Sequence, residues 1–331
     1  RSGSIPPIYA EIPFNSPVII YDHLASADSY LFESVKGPEN IARYSFIGFD
    51  PCLVFRARDG IISLKTNSEQ TILTQNPLAA LKNITGCYRQ LPHAHLPPFQ
   101  GGFAGMFSYD FVHYLEKLPS TTRDDLNIPD AHFLLTDKLI SFDHTEKRCW
   151  IVICPGLKSS AVQEKLQDDL DGKRIYEEAE DTVRNIRERV CSKHSRARRG
   201  CIATSCSRAR ARGKIEVSRD MQKREYLDMV KRAKEYIGAG DIFQANLSQR
   251  FSACNVHMRP WELYRTLRTI NPSPFAGFVD FGDYQIVSSS PERLLRIKDG
   301  RIETRPIAGT RPRGRNRRED VLMRAELLLN E

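Results

Sequence analysis

Twice in this chain a strand-like run turns straight back through an Asp-Gly pair: "CLVFRARDGIISLKT" at 52–66 and "RLLRIKDGRIETR" at 293–305. Glycine supplies the positive φ that so tight a turn needs, and a strand that returns after two residues pairs antiparallel with the one before it. The runs "YSFIGFDP", "FLLTDKLISFDH", "RCWIVICPG", "PFAGFVDFG" and "YQIVSSSPE" are equally short and bounded by turn residues, and "PVIIYDHL" at 17–24 reads as a further strand. Between them lie helical stretches, among them "NPLAALKNITGCYRQ" and "SSAVQEKLQDDLDGKRIYEEAEDTVRNIRERV". The expected fold class is α+β, with antiparallel sheets packed together and helices outside.

The 331 residues suggest about two domains. The formal net charge of +8 is a local property. Residues 189–214 hold nine Lys or Arg and no acid, and the remainder of the chain carries 40 basic against 41 acidic residues. That segment lacks the aromatics that stack on bases and has no helical periodicity, so it reads as a solvated linker and no nucleic-acid partner is expected. The expected organisation is a first domain over 1–187, a basic linker over 188–217 and a second domain over 218–331. No run approaches the length of a membrane span, and eight cysteines without CxxC pairs read as reduced thiols, so a cytoplasmic protein with no membrane partner is expected. The chain opens on Arg1 and ends inside the amphipathic run "EDVLMRAELLLNE", so it is expected to be a segment of a longer protein.

Beyond the linker, Tyr226, Val230, Ala233 and Ile237 recur at helical spacing, with Gly238 and Gly240 as the stop. "DIFQANLSQRF" then alternates. Phe243, Ala245, Leu247 and Phe251 fall on one face, and Gln244, Asn246, Ser248 and Arg250 on the other, which predicts a strand with a core side and a polar side. The stretch "SSSPERLLRIKDGRIETRPIAGTRPRG" carries the chemistry. Glu292 ends a strand, and sixteen residues later begins Ala308-Gly309-Thr310, where Gly309 permits close backbone approach beside the hydroxyl of Thr310. Arg305, Arg311 and Arg313 offer forked donors for carboxylates or phosphates. Taken alone, the pattern suits an anionic small-molecule site with a carboxyl group as proton donor or acceptor, or a surface hairpin with solvated arginines. "LPHAHLPP" (His93, His95) reads as a surface loop, and "GGFAG" at 101–105 as close backbone packing.

Several ordered blocks resemble component I of the chorismate-utilising enzymes, the anthranilate synthase and aminodeoxychorismate synthase family. They are "SYLFESVKGPENIARYSFIGFDP", "GGFAGMFSYDFVHYLEKLP", "DDLNIPDAHFLLTDKLISFDH", "GDIFQANLSQRF", "NPSPFAGFVDFGDYQIVSSSPERL" and "ETRPIAGTRPRG". The resemblance covers nearly the whole chain and implies a chorismate-binding fold, with 218–331 the start of the chorismate domain. It also implies chorismate as substrate, Mg²⁺ with its ligands beyond Glu331, and ammonia from a glutamine amidotransferase subunit. By the same resemblance Ser34, Arg43, Tyr44, Pro274, Phe275 and Ala276 match a pocket for L-tryptophan, Gly309, Thr310 and Arg311 a chorismate-contacting loop, and Glu292 and Thr310 catalytic positions. No metal ligand is expected within the chain itself. The two halves of the family share one interlocked core, so exposed strand edges and poor solubility are expected of the segment alone.

The resemblance leaves the product open between two routes. Many aminodeoxychorismate synthases carry lysine in "PIKGT", whose amine attacks the ring; here Ala308 stands at that position, as in the "PIAGT" of anthranilate synthases. Asn246 in "QANL" points the other way, toward aminodeoxychorismate synthases, a subgroup of which also has alanine in the loop. The expectation is therefore component I of aminodeoxychorismate synthase, serving para-aminobenzoate and folate synthesis. The alternatives are anthranilate synthase of tryptophan biosynthesis and a catalytically inert tryptophan-binding paralogue.

Overall fold

The computed structural model describes residues 6–37, 41–66, 69–73, 76–87, 90–159, 169–191, 215–254, 256–307 and 309–329. Most of the basic segment (192–214) and Ala308 lie outside the described residues. By contact the chain forms two units, residues 1–199 together with 260–331, and residues 200–259.

The larger unit begins with β1 (Ile8–Ile12), α1 (Pro17–Leu24), β2 (Ser29–Glu33), β3 (Tyr44–Gly48), β4 (Leu53–Arg58), β5 (Ile61–Lys65), β6 (Glu69–Leu73) and α2 (Pro77–Cys87). It continues through β7 (Gly102–Phe107), a tight helical turn (Tyr109–Tyr114), β8 (Ala131–Thr136), β9 (Lys138–Asp143), β10 (Arg148–Ile153), α3 (Gly156–Ser159) and α4 (Asp169–Cys191). In the smaller unit lie β11 (Glu216–Arg219), α5 (Lys223–Ala239) and β12 (Phe251–Cys254). The larger unit resumes with α6 (Pro260–Ile270), β13 (Phe275–Asp280), β14 (Gln285–Ser290), β15 (Arg293–Lys298), β16 (Arg301–Arg305) and α7 (Arg317–Leu329).

Seven strands form an antiparallel sheet in the order β1-β10-β9-β3-β2-β13-β14, and five form another in the order β6-β5-β4-β8-β7. The β13–β14 hairpin thus joins a sheet built otherwise from residues before 154, with Ala276 opposite Glu33 and Phe278 opposite Leu31. One face of the larger sheet packs Leu31, Ile47, Ile140, Phe142 and Ile151 against Tyr21 and Leu24 of α1, Ile186 of α4 and Tyr264 of α6. On its other face Trp150, Val152 and Leu139 meet Phe55, Ala57 and Leu135 of the five-stranded sheet. The result is two antiparallel sheets face to face with helices outside, as the turn pattern predicts. Each fully buried Leu, Ile or Phe contributes about 1.5–3 kcal/mol of apolar burial to holding the layers together.

Both Asp-Gly turns form as expected, with positive φ at Asp59 and Gly60 and at Asp299 and Gly300. In the glycine-rich run, a Cβ on Gly105 would lie 2.0 Å from the His132 carbonyl oxygen, so β7 can approach β8 only with no side chain there. Three strand expectations need correction. "PVIIYDHL" is the helix α1. Pro17 occupies its first turn, the Ser16 carbonyl accepts from Ile19 and Ile20 N–H, and burial of Val18, Ile20, Tyr21 and Leu24 overrides the β-branched composition. "DIFQANLSQRF" forms a ladder only at its last residue, Phe251, within β12. In that unit β12 has β11 as its partner, residues 243–250 find no neighbouring strand among the described residues, and Phe243 is exposed rather than in a core.

"FLLTDKLISFDH", predicted as one strand, breaks at buried Asp137 and passes from the five-stranded sheet (β8) to the seven-stranded one (β9). Helix α5 starts with the Gln222 N–H donating to Glu225 Oε2 at 2.6 Å; it stops at Gly240, φ 83°, as predicted, whereas Gly238, the other predicted stop, lies inside it. Among the described residues no helix is long and apolar enough to cross a membrane.

Candidate functional site

Three neighbouring strands bring distant residues to one cavity of about 770 Å³. Phe32, Glu33 and Ser34 come from the end of β2, Arg43, Tyr44 and Phe46 from the start of β3, and Pro274, Phe275 and Ala276 from the entry to β13. Ser34, Arg43, Tyr44, Pro274, Phe275 and Ala276, grouped by the sequence resemblance, therefore share this wall. Register explains why: β2 is the strand between β3 and β13, with Phe32 opposite both Phe46 and Gly277. Phe32, Tyr44, Phe46 and Phe275 make much of the lining aromatic.

The polar groups of the wall are anchored from behind. The Ser34 N–H donates to Ser45 Oγ at 3.1 Å, and the Ser34 hydroxyl donates to the Pro274 carbonyl at 3.2 Å, tying β2 to the approach to β13. Glu33 is buried; its carboxylate accepts from Arg268 Nε at 2.8 Å, from Arg268 Nη2 at 2.6 Å and from the Tyr264 hydroxyl at 3.0 Å. Arg43 stacks over Tyr44 at 5.1 Å and donates to Asp143 at 2.7–3.1 Å. Burial alone would raise the Asp143 carboxyl, but Arg43 and the backbone N–H groups of Glu146 and Thr145 outweigh it and hold the group below the usual carboxylate range. Next in sequence, His144 shares a 2.7 Å hydrogen bond with Ser45 Oγ, and burial pulls its imidazole below the usual histidine value.

Glu292, Gly309, Thr310 and Arg311 gather around the β15–β16 hairpin and α7. The Ile307 N–H donates to Glu292 Oε1 at 2.9 Å, which fixes the carboxylate against the loop that follows β16. Gly309 N–H donates to the Ile307 carbonyl at 2.7 Å, and a Cβ on Gly309 would stand 3.2 Å from Leu327 of α7. Arg311 Nε donates to Glu326 of α7 at 3.0 Å and its Nη1 to the Thr310 carbonyl at 3.1 Å, so this guanidinium braces the loop on the helix. Arg313 does the same with Asp320 at 3.0 Å. The arrangement offers an exposed carboxyl group in reach of a solvent-facing loop, with guanidinium groups close by.

Sequence reasoning missed the residues that join the two groups. Arg293, next to Glu292, turns its side chain into the wall of the large cavity, stacks near Phe275 at 5.9 Å and pairs with Glu303 of β16. Arg296 lines the same wall. Magnesium, implied by the family resemblance, finds no fit in these residues. Among the described residues no three His, Cys, Asp or Glu side chains converge on a point that could hold an ion.

The model of the family described as chorismate binding enzyme matches residues 27–331. Anthranilate synthase component 1 of Acetivibrio thermocellus is 34% identical over 326 residues, which are 98% of this chain and 63% of that protein. The same-named protein of Thermus thermophilus is 38% identical, over 96% of this chain and 62% of its own length. Aminodeoxychorismate synthase component 1 of Bacillus subtilis is 30% identical, over 98% of this chain and 64% of its own. A crystal structure of anthranilate synthase component I from Streptococcus pneumoniae superposes with a TM-score of 0.66 at 28% identity, covering 96% of this chain and 62% of that one. The chain spans about three fifths of the length of the curated relatives it matches. With two stacked antiparallel sheets, the ordered motif blocks and a family match over more than nine tenths of its residues, the chain belongs to the chorismate binding enzyme family.

Proposed function

We propose that this chain is the chorismate-recognising part of component I of an aminodeoxychorismate synthase, which converts chorismate and ammonia to 4-amino-4-deoxychorismate. A glutamine amidotransferase subunit supplies the ammonia. The observation that carries the reading is the 2.9 Å hydrogen bond from Ile307 N–H to Glu292, which sets a carboxyl group beside the loop bearing Gly309 and Thr310. Hydroxide leaves a ring poorly, so replacing a ring hydroxyl by ammonia needs a proton donor at the departing oxygen, and on this reading Glu292 is that donor. Chorismate carries two carboxylates. Gly309 lets the backbone come close to one of them, Thr310 offers a hydroxyl, and Arg311, held by Glu326, contributes positive potential to the loop. With alanine at 308 the loop has no amine to attack the ring, so ammonia itself adds.

The large cavity, on this reading, takes a tryptophan-like aromatic amino acid as a structural or inhibitory ligand, with Ser34, Arg43, Tyr44, Pro274, Phe275 and Ala276 around it. A second reading, anthranilate formation, is favoured by Ala308 and by the names of the Acetivibrio and Thermus relatives. Asn246 favours the first; its Oδ1 accepts from Gln244 Nε2 at 3.2 Å, and both amides are exposed.

Product identification separates the readings. The full-length protein, given chorismate, Mg²⁺ and an ammonium salt, is expected to yield para-aminobenzoate only after a lyase is added. Anthranilate fluorescence without added lyase would establish the second reading. Tryptophan binding with no turnover of chorismate at all would establish an inert paralogue.

A further inference from the structure

Arg293 and Arg296 are three residues apart in a strand, a spacing that normally sends side chains to opposite faces. Here both line the large cavity. The cause is an irregularity in β15: Arg293 stands opposite Arg305 and Arg296 opposite Glu303, so three steps on one strand match two on the other. The extra residue restores a shared face, as bulges do where a strand must re-aim a side chain. Charge on this face is unbalanced. Glu303 is met by three guanidinium groups, those of Arg293, of Arg296 at 3.6 Å and of Arg305 at 3.3 Å. Arg293 Nε is also buried and has no hydrogen-bond partner. The other charges of the cavity are matched, Arg43 by Asp143 and Glu33 by Arg268.

We propose that Arg293, supported by Arg296, is the anion subsite of the cavity and binds the carboxylate of an aromatic monocarboxylate ligand. The ring of that ligand lies among Phe32, Tyr44, Phe46 and Phe275. This rests on the reading of the cavity as an aromatic amino acid site and adds which residue recognises the acid group. A buried cationic donor without a partner is costly to leave unmade, and a carboxylate satisfies it with charge-assisted bonds. Glu303 is then a competitor inside the protein: ligand and Glu303 share one guanidinium, so weakening Glu303 strengthens the ligand.

The test is calorimetry of the full-length protein with L-tryptophan and with tryptamine, which has the same ring and amine but no carboxylate. Wild type is expected to prefer L-tryptophan. Arg293→Met lowers affinity for L-tryptophan by about tenfold or more and leaves tryptamine unchanged, while Arg293→Lys recovers part of the loss. Glu303→Gln raises affinity for L-tryptophan alone, a gain that no misfolded variant produces. If wild type and Arg293→Met discriminate the two ligands by the same ratio, the subsite lies elsewhere and the proposal falls, with the cavity reading intact. If wild type binds neither ligand, the cavity reading itself falls and the subsite with it.

Discussion

Removing the positive partner of Glu33 tests whether the wall of the cavity depends on a buried ion pair. Arg268→Met keeps most of the side-chain volume of Arg268 on α6 but strips two hydrogen bonds, of 2.6 and 2.8 Å, from a carboxylate that is only 4% exposed. The Tyr264 hydroxyl at 3.0 Å is then its remaining donor among the described residues. Breaking such a pair from one side costs about 3–5 kcal/mol, because the surviving charge stays in a medium that solvates it poorly. The Arg268 side chain is itself 25% exposed, so water screens part of the attraction and the expected loss is about 3 kcal/mol.

The control is the double variant Glu33→Gln with Arg268→Met. With the charge gone, a neutral amide stands beside Tyr264, and the double variant is expected to be more stable than Arg268→Met alone by about 1 kcal/mol or more. Urea unfolding at pH 7, extrapolated to water for the four members of the cycle, measures both quantities. Additive effects, or a loss below about 1 kcal/mol for Arg268→Met, would refute the claim that an unpaired carboxylate dominates the energetics here.

Gly105→Ala should destabilise by about 1–3 kcal/mol and toward the upper end, since the new methyl group meets the His132 carbonyl at 2.0 Å and the Phe133 Cα at 2.7 Å, both backbone atoms of β8; thermal melting reads the shift, and an unchanged midpoint would contradict it. His132 makes a pH prediction. Burial, helped by nearby Arg56, pulls its imidazole down to about 4, against about 6.5 in an unfolded chain, so below pH 6.5 the unfolded state binds the proton first. Stability therefore falls as pH drops from about 6.5 to about 4, by up to roughly 3 kcal/mol from this group, and loses nothing further from it below that window. The difference in unfolding free energy between wild type and His132→Gln should shrink over the same range. A difference that is flat with pH would show that His132 already carries a proton in the fold or has no abnormal affinity for one.

Turn chemistry makes the sheets legible in the residues alone. Asp59-Gly60 and Asp299-Gly300 need positive φ whatever surrounds them, and a hairpin follows. The helix α1 was hidden because its start signal, Ser16-Pro17, precedes a β-branched run whose burial against β2 and β3 is a tertiary fact. The failed strand at 242–250 is the converse case. Alternation shows that a segment could serve as a strand, but a strand also needs a neighbour with free N–H and C=O groups, which no local pattern contains. Of the candidate site, the motifs legible one by one, Ser34, Pro274 and Phe275 on one side and Glu292 with Gly309 and Thr310 on the other, gather where strand order and loop geometry put them.

Arg293 and Arg296 escaped because the reading of "RLLR" depends on a choice of period. In a helix the two arginines would share a face; in a regular strand they would be separated, and only one could reach any cavity. A single extra residue in β15 gives a strand the facing that a helix would have had. The bulge also explains how an exposed hairpin keeps a foothold in the interior. Leu294 is 88% exposed and Ile302 71%, so apolar burial holds β15 and β16 weakly, and the fixed points are the two arginines, Glu303 between them, and Glu292 clasping the loop. On the proposed readings, an occupant of the cavity held by Arg293 and a substrate beside Glu292 would therefore act on neighbouring residues at one end of a short ladder whose position is set by charge rather than by packing. Any free energy that one contributes to ordering that ladder is available to the other.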